Sequence, residues 1–220
     1  MKKTYLIILL LGFLILAGCA PAAVLEQPTA TPPDPTSTPT ATPPPSPTAT
    51  VATPSPLTLE ETAQEVINAL ADKDLETVAN FVHPEQGIRF SPYTYVDESH
   101  LVFTPAELPG LVGSQEVFLW GAYDGTGDPI ELTFDEYYAR FLYSADFANP
   151  EEMAVNEELG YSSMINNIAD YYPGASFVEY HFSGFEEDYG GLDWVSLRLV
   201  FIQEDGTWFL VGMVNDQWTI

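Results

Sequence analysis

The feature that most limits what this chain can fold into is a long low-complexity stretch near its start, residues 20–56. The stretch contains 12 of the chain's 19 prolines together with nine threonines. Proline has no backbone N–H and a fixed φ, so neither a helix nor a sheet can continue through it, and there are almost no large apolar side chains to bury. We therefore expect a polyproline-II-like linker, which at ~3.1 Å per residue would span on the order of 100 Å when fully extended.

The residues before the linker have the pattern of an export signal. Lys2 and Lys3 precede an apolar run from Tyr5 to Ala17, which is short for a membrane span and ends in small residues, as a cleaved secretion signal does. The run closes on Leu16-Ala17-Gly18-Cys19, which resembles the lipobox of bacterial lipoprotein signals. That resemblance implies cleavage before Cys19 and a diacylglyceryl group on its thiol, and two acyl chains anchor a protein stably. The alternative is an ordinary cleaved signal in which this cysteine has no role.

Together these segments predict three parts of the chain. Residues 1–18 would be a lipoprotein signal peptide, residues 19–56 the lipidated Cys19 with its disordered linker, and residues 57–220 one globular domain, a common size for a single core. The expected location is the extracytoplasmic face of a cell membrane, with the membrane as a partner through Cys19.

Charge and cysteine content narrow the possible partners. The formal net charge is −26, from 32 acidic and six basic side chains. Such a charge repels nucleic-acid phosphates and anionic lipid headgroups, so no nucleic-acid partner is expected. The acidity suits either a solvated surface or a surface for cations and basic partners. Cys19 is the only cysteine, so the domain can form neither a disulfide nor a thiolate metal site.

Capping signals predict where the helices begin. Thr58 and Glu61 form a capping box before a helical apolar repeat from Leu59 to Leu70, and Asp74 is placed to cap a short second helix. A second capping box, Thr133-Phe134-Asp135-Glu136, opens a helix. Its core-facing residues are expected to be Phe134, Tyr137, Tyr138, Phe141 and Leu142.

The strand signals are concentrated in the second half of the domain. Residues 207–214 and 192–203 alternate and are joined at Asp205-Gly206, a strong hairpin signal. Further strands are expected at 88–96, 101–104, 116–123, 129–132 and 176–183, whereas 144–174 reads as loop with a short helix at 162–168. This order of elements predicts an α+β domain, with N-terminal helices packed on a curved antiparallel sheet.

Three segments carry a resemblance to a known superfamily. They are the helix Glu61–Leu70, the following Asp72–Leu75, and the closing Gly206–Gly212. With the element order, they resemble the nuclear-transport-factor-2-like and cystatin-like superfamily over most of 57–220, which implies a cystatin-like cone with a pocket between helices and sheet. More narrowly, residues 83–93 and 215–220 are similar to uncharacterised bacterial lipoproteins with such a domain, which implies export and a fold but no activity.

The candidate pocket follows from that resemblance, because polar and aromatic side chains on the inner strands would line it. In so acidic a chain the arginines are most simply buried or half-buried ion-pair partners, whereas an arginine in an apolar pocket would bind a carboxylate or phosphate bidentately. His83 or His181 with Asp216 could form an acid–base pair. The candidates are His83, Arg89, Tyr93, Tyr95, Trp120, Arg140, Arg198 and Asp216, with Tyr123, Tyr137, His181 and Trp218 in the wider set.

Metal and catalytic motifs are weak. Asp124 and Asp128 lie in a calcium-like loop with Asp135 at its twelfth position, but Pro129 stands where such a loop needs glycine and Asp135 where it needs glutamate. We interpret this stretch as a hairpin turn, and the acidic residues 186–193 are a second weak candidate. The sequence has no Gly-x-Ser-x-Gly, Ser-x-x-Lys or His-Glu-x-x-His motif. No catalytic residue and no cofactor are therefore predicted.

The leading functional hypothesis is a lipid-anchored, non-enzymatic binding or accessory module whose protein or small-molecule partner stays open. One alternative is a small-molecule pocket enzyme of the isomerase, cyclase or hydrolase type on the same fold. Another is a calcium-dependent cell-wall-binding domain.

Replacing Cys19→Ala tests the anchor. If the thiol carries the lipid, the variant should leave the membrane fraction, because no acyl chain remains to hold it. Cell fractionation followed by immunoblotting measures this, with Ala22→Ser in the linker as the matched control. Membrane partitioning of Cys19→Ala equal to that of the control would contradict lipidation.

Overall fold

The computed structural model describes residues 56–219, so the signal, Cys19 and almost the whole linker lie outside the described residues. Within 56–219 there is no helix both long enough and apolar enough to cross a membrane.

The helices begin at the residues that the capping signals predicted. Helix α1 spans Leu59–Ala71, and its capping box joins Thr58 and Glu61 through hydrogen bonds of 2.8 and 3.2 Å. Asp74 caps α2, Leu75–Ala79. The second capping box opens α3, Phe134–Tyr137, which continues as a π-helical turn, Tyr138–Leu142. All five residues predicted to face the core from these two elements are buried.

Six strands form one sheet and two form a separate hairpin. In the sheet the order is β2-β1-β8-β7-β6-β5, with β1 parallel to β8 and the other pairs antiparallel. The hairpin pairs β3 with β4. The bounds are β1 Ile88–Ser91, β2 Val102–Phe103, β3 Phe118–Ala122, β4 Pro129–Leu132, β5 Glu152–Val155, β6 Ser176–Phe182, β7 Val195–Glu204 and β8 Thr207–Gln217.

The predicted α+β architecture is confirmed, and the stretch 144–174 is mostly loop as predicted, but two of its details were wrong. It contains β5, an edge strand hydrogen-bonded to β6, and its short helix α4 is Ile168–Tyr171 rather than 162–168. Strand β5 is only four residues long and is paired on one side. Its alternation of apolar and polar residues is therefore too short to predict a strand. The Asp205-Gly206 turn is confirmed, with φ of +49° and +83° at the two residues, as a tight hairpin turn requires.

The central strands are buried on both faces. On one face, Leu197, Leu199 and Met213 belong to the main core with α1, α3 and the β3–β4 hairpin, where Trp120 stacks on Tyr137 at 3.9 Å. On the other face a smaller cluster is covered by residues 157–175, which we call the covering segment, and by the chain around Val96. The cluster comprises Val96, Ile168, Val200, Val211 and Val214. If only one face of the sheet were covered, the other face of β7 would be exposed to solvent. The second layer therefore accounts for the burial of the polar residues of β7.

Gly160→Ala tests how closely the covering segment approaches the sheet. A Cβ at Gly160 would lie 2.3 Å from Cζ3 of Trp194 and 2.8 Å from Oγ of Ser196, so the segment must move outward, and we expect a loss of about 1–3 kcal/mol in the free energy of unfolding. Urea denaturation measures it. Gly110→Ala is the control, because nothing lies within 4 Å of its added Cβ. Equal stabilities of the two variants would contradict the close contact.

Candidate functional site

A surface groove of about 400 Å³ lies between β3 and the connection from β1 to β2. We call residues 92–100 the groove loop. The loop supplies one wall, β3 supplies the other, and Met164 contributes from the covering segment. The lining residues are Pro92, Tyr93, Tyr95, Asp97, Ser99, His100, Leu119, Gly121, Ala122 and Met164.

Arg198 on β7 holds the middle of the groove loop from behind. Its side chain is fully buried, and its Nη1 donates to Oγ1 of Thr94 at 2.5 Å. The same guanidinium donates to Glu179 at 2.7 Å, to Asp216 at 2.9 Å and to the carbonyl of Gly160 at 3.2 Å. One cation therefore ties three strands of the sheet to the groove loop and to the covering segment.

Two asparagines fix the backbone of the first half of the loop. Asn167 accepts from the N–H of Val96 at 2.7 Å and donates to its carbonyl at 2.9 Å, so its side-chain amide pairs with Val96 as a neighbouring strand would. Asn215 on β8 donates to the carbonyl of Pro92 at 3.0 Å. These bonds satisfy backbone groups that a loop otherwise leaves to water.

Arg89 on β1 fixes the second half. Its Nη1 donates to the carbonyls of Asp97 and Glu98 at 3.1 and 3.0 Å, and also to that of His100. The guanidinium lies 5.3 Å from the ring centroid of Tyr171, which adds a cation–π contact. The groove loop is thus held along its length before any ligand arrives, and such preorganisation lowers the entropic cost of binding.

His100 faces the groove as a neutral hydrogen-bond donor. Its Nδ1 accepts from the N–H of Asp97 at 3.2 Å and lies 3.0 Å from Oγ of Ser91. In the neutral ring the proton is therefore on Nε2, and a Cβ at Gly121 would lie 3.6 Å from that atom. Burial lowers the pKa of His100, which keeps the ring neutral at neutral pH. An Nε2–H can donate to a ligand but cannot remove a proton from it.

Asp97 gives the groove a negative charge. Its Oδ1 accepts from the N–H and the hydroxyl of Ser99 at 2.8 and 2.7 Å. These hydrogen bonds lower the pKa of Asp97, so the carboxylate is ionised at neutral pH.

The predicted pocket residues do not line one cavity. Tyr93 and Tyr95 line the groove, while Arg89, Arg198 and Asp216 lie behind its loop. The sequence did not predict the roles of His100, Asn167 and Asn215. A histidine on a polar turn gave a signal that was overlooked, whereas the two asparagines bind backbone atoms 71 and 123 residues away in the chain, and no local pattern announces such contacts.

The other three candidates have separate surroundings. Trp120 on β3 is buried in the main core and donates from Nε1 to the carbonyl of Leu132 at 2.9 Å. His83 caps the turn before β1, where its Nδ1 accepts from the N–H groups of Glu85 and Gln86 at 3.1 and 2.9 Å. Arg140 lines a different pocket. Two acid–base pairs were predicted, His83 with Asp216 and His181 with Asp216. His83 lies apart from Asp216. His181 is buried, and its Nδ1 lies 2.8 Å from Oγ of Ser196.

The calcium candidates do not come together either. The carboxylate of Asp135 lies 3.1 Å from Nζ of Lys73 and accepts from the N–H of Gly113 at 3.0 Å. It therefore binds these two residues and does not contribute to the turn at Asp124 and Asp128. Across residues 56–219 no group of three or more His, Cys, Asp or Glu side chains is arranged to hold a metal ion.

Comparison with known proteins gives matches only among solved structures. No family model matches the chain, and no curated protein matches it. Among solved structures, a chain named Rd1NTF2_05 with five substitutions is similar at 10% identity and a TM-score of 0.31, over 71% of this chain and 94% of that one. A chain described as a calcium/calmodulin dependent protein kinase II association domain from Xanthomonas campestris is similar at 11% identity and a TM-score of 0.27, over 69% and 79%. At these TM-scores, neither similarity carries an argument about fold or activity.

Asp216→Asn tests the charge balance behind the groove loop. Burial raises the pKa of Asp216, so the folded chain binds this proton more readily than the unfolded chain does. The contribution of Asp216 to stability is therefore fully present below its unfolded pKa and is lost as the pH rises through the raised value. The variant should gain stability relative to the wild type as the pH rises from about 4 to about 8.

Urea denaturation across that pH range measures the difference. Asp97→Asn is the control: the lowered pKa of Asp97 makes its contribution fully present above the unfolded value of about 4 and lost only at lower pH, so this variant should keep the pH slope of the wild type. Parallel pH curves for the wild type and Asp216→Asn would contradict the assignment.

Proposed function

We propose that this chain is a non-enzymatic ligand-binding module, held at the extracytoplasmic face of a membrane by a lipid on Cys19. In this proposal the linker at 19–56 carries the domain away from the membrane, and the groove between β3 and the groove loop takes the ligand. The observation that carries the binding role is the support of that loop by Arg89, Arg198, Asn167 and Asn215. Four buried or half-buried polar side chains hold one surface loop in a single shape, which suits recognition by a rigid site.

The surface of the groove indicates the class of ligand. Tyr95 and Leu119, 44% and 58% exposed, offer apolar area to a ligand, and Nε2 of His100 offers a hydrogen-bond donor. Asp97 adds a negative charge to a chain with a net charge of −26. Neutral or cationic compounds with a flat apolar body and a hydrogen-bond acceptor fit these groups, whereas anions would be repelled.

The chemistry of the groove favours binding over catalysis. The hydroxyl of Ser91 lies beside His100, as a nucleophile beside its base would, but Ser91 is fully buried and the histidine's Nδ1 already accepts from a backbone N–H. A ligand in the groove therefore meets no activated nucleophile and no free imidazole lone pair. A cell-envelope binding role also agrees with the export signal and linker predicted from the sequence.

Leu119→Asp tests the groove against a closely matched control. Leu119 and Val117 are consecutive outward-facing residues of similar exposure, 58% and 59%, but only Leu119 lines the groove. A fragment library of neutral heteroaromatic compounds, screened by amide chemical-shift changes in the full chain, should perturb residues 92–100 and 119–122. Leu119→Asp should lower the affinity for these fragments by about tenfold or more, because a charge replaces apolar contact area. Val117→Asp should leave their affinity unchanged.

Two results would contradict the proposal. One is fragment binding that both aspartate variants weaken equally. The other is turnover of the bound fragments that His100→Gln abolishes, which would assign the groove to the enzyme alternative.

A further inference from the structure

The basic side chains of this domain are few, and the structure gives each a different environment. Lys73 pairs with Asp135 at 3.1 Å, Arg198 lies between two buried carboxylates, and Arg89 donates to backbone carbonyls. Arg140 is exposed and, within residues 56–219, has no carboxylate within 4.0 Å. In a chain with 32 acidic side chains, an arginine that pairs with none of those described is available to an external anion.

Arg140 lines a pocket of about 280 Å³ beside the N-terminal end of β7 and the C-terminal end of β8. Its apolar lining is unusually exposed: Phe185, Leu192 and Trp218 are 56%, 52% and 40% accessible. Trp194 adds a nearly buried indole at the same place. Large apolar side chains grouped around an arginine provide both an apolar surface and a charge, which are the two elements of a site for an amphipathic anion.

The backbone under Arg140 is firmly held. The residue lies in the middle of the π-helical turn Tyr138–Leu142, whose Phe141 and Leu142 are fully buried. Tyr143 closes the turn by donating its N–H to the carbonyl of Tyr138 at 2.7 Å. Single π-helical turns inside helices are frequent at functional sites, and here the exposed Arg140 directly precedes two buried anchors.

One carboxylate also lines the pocket, that of Asp193. Its Oδ2 accepts from the N–H groups of Phe185 and Glu186, both at 2.9 Å. The carboxylate therefore fixes the loop that carries Phe185 and does not form an ion pair with Arg140. The guanidinium itself lies 5.3 Å from the ring centroid of Phe141, which leaves its N–H groups for another partner.

We propose that this pocket binds aromatic carboxylates, with the acid group on the guanidinium of Arg140 and the flat apolar body against Trp218 and Phe185. An arginine fork matches a carboxylate bidentately, and the indole supplies area for stacking. The site shares no lining residue with the groove and takes ligands of the opposite charge. It is therefore a second site, whose existence does not depend on the proposed function.

The test compares 2-naphthoate with its neutral amide, 2-naphthamide, by isothermal titration calorimetry on the full chain. The carboxylate should bind at least about tenfold more tightly than the amide, since charge-assisted hydrogen bonds to arginine add that much affinity. Arg140→Gln should remove the preference, Arg140→Lys should keep part of it, and Trp218→Ala should weaken both compounds. The matched controls are Lys73→Gln for charge and Tyr161→Ala for an exposed aromatic ring, and both should bind as the wild type does.

The comparison has clear adverse outcomes. Equal affinity of the wild type for the acid and the amide would overturn the role of Arg140. Loss of naphthoate binding in Lys73→Gln or in the groove variant Leu119→Asp would place the ligand elsewhere and overturn the site. Because Arg140 and Trp218 are exposed, their variants should keep the wild-type circular dichroism; Arg140→Lys keeps the charge test valid if Arg140→Gln does not fold.

Discussion

The buried guanidinium of Arg198 is the interaction on which the outer layer of this domain depends. It lies between the carboxylates of Glu179 and Asp216, and the same group binds Thr94 and the carbonyl of Gly160. Removing one partner of a buried ion pair costs about 3–5 kcal/mol, because the other charge stays buried and unpaired. The groove loop and the covering segment can therefore leave the sheet only at the expense of this cluster.

The same cluster also fixes the position of the covering segment on the outer face of the sheet. An apolar outer face would let residues 157–175 slide, since apolar packing is not directional. Hydrogen bonds to Arg198 and Glu179 hold both the N–H and the carbonyl of Gly160, so only one register of the segment satisfies the buried charges. We infer that the ionic cluster contributes specificity more than net stability, the role for which buried polar groups are best supported.

How far the sequence could predict this structure depends on the distance between interacting residues. The two capping boxes and the Asp205-Gly206 turn involve partners a few residues apart, and all three predictions are confirmed. The polar support of the groove joins residues separated by 71, 104 and 123 positions. A buried arginine or asparagine needs hydrogen-bond partners, but the sequence does not show which distant residues provide them. Of the residues that line the groove, the sequence therefore predicted only Tyr93 and Tyr95.

The three arginines show the same limit and also what the structure adds. From the sequence, each was most simply a buried or half-buried ion-pair partner, with a ligand pocket as the alternative. The structure separates them. Arg198 lies between buried carboxylates, Arg89 donates to backbone carbonyls, and the exposed Arg140 lies beside aromatic side chains with no described carboxylate within 4.0 Å. Arg198 and Arg89 both hold the groove loop in place. A guanidinium at the surface of so acidic a chain attracts neighbouring carboxylates, so the aromatic surroundings of Arg140 require a separate explanation, and an external anion with an apolar body supplies one.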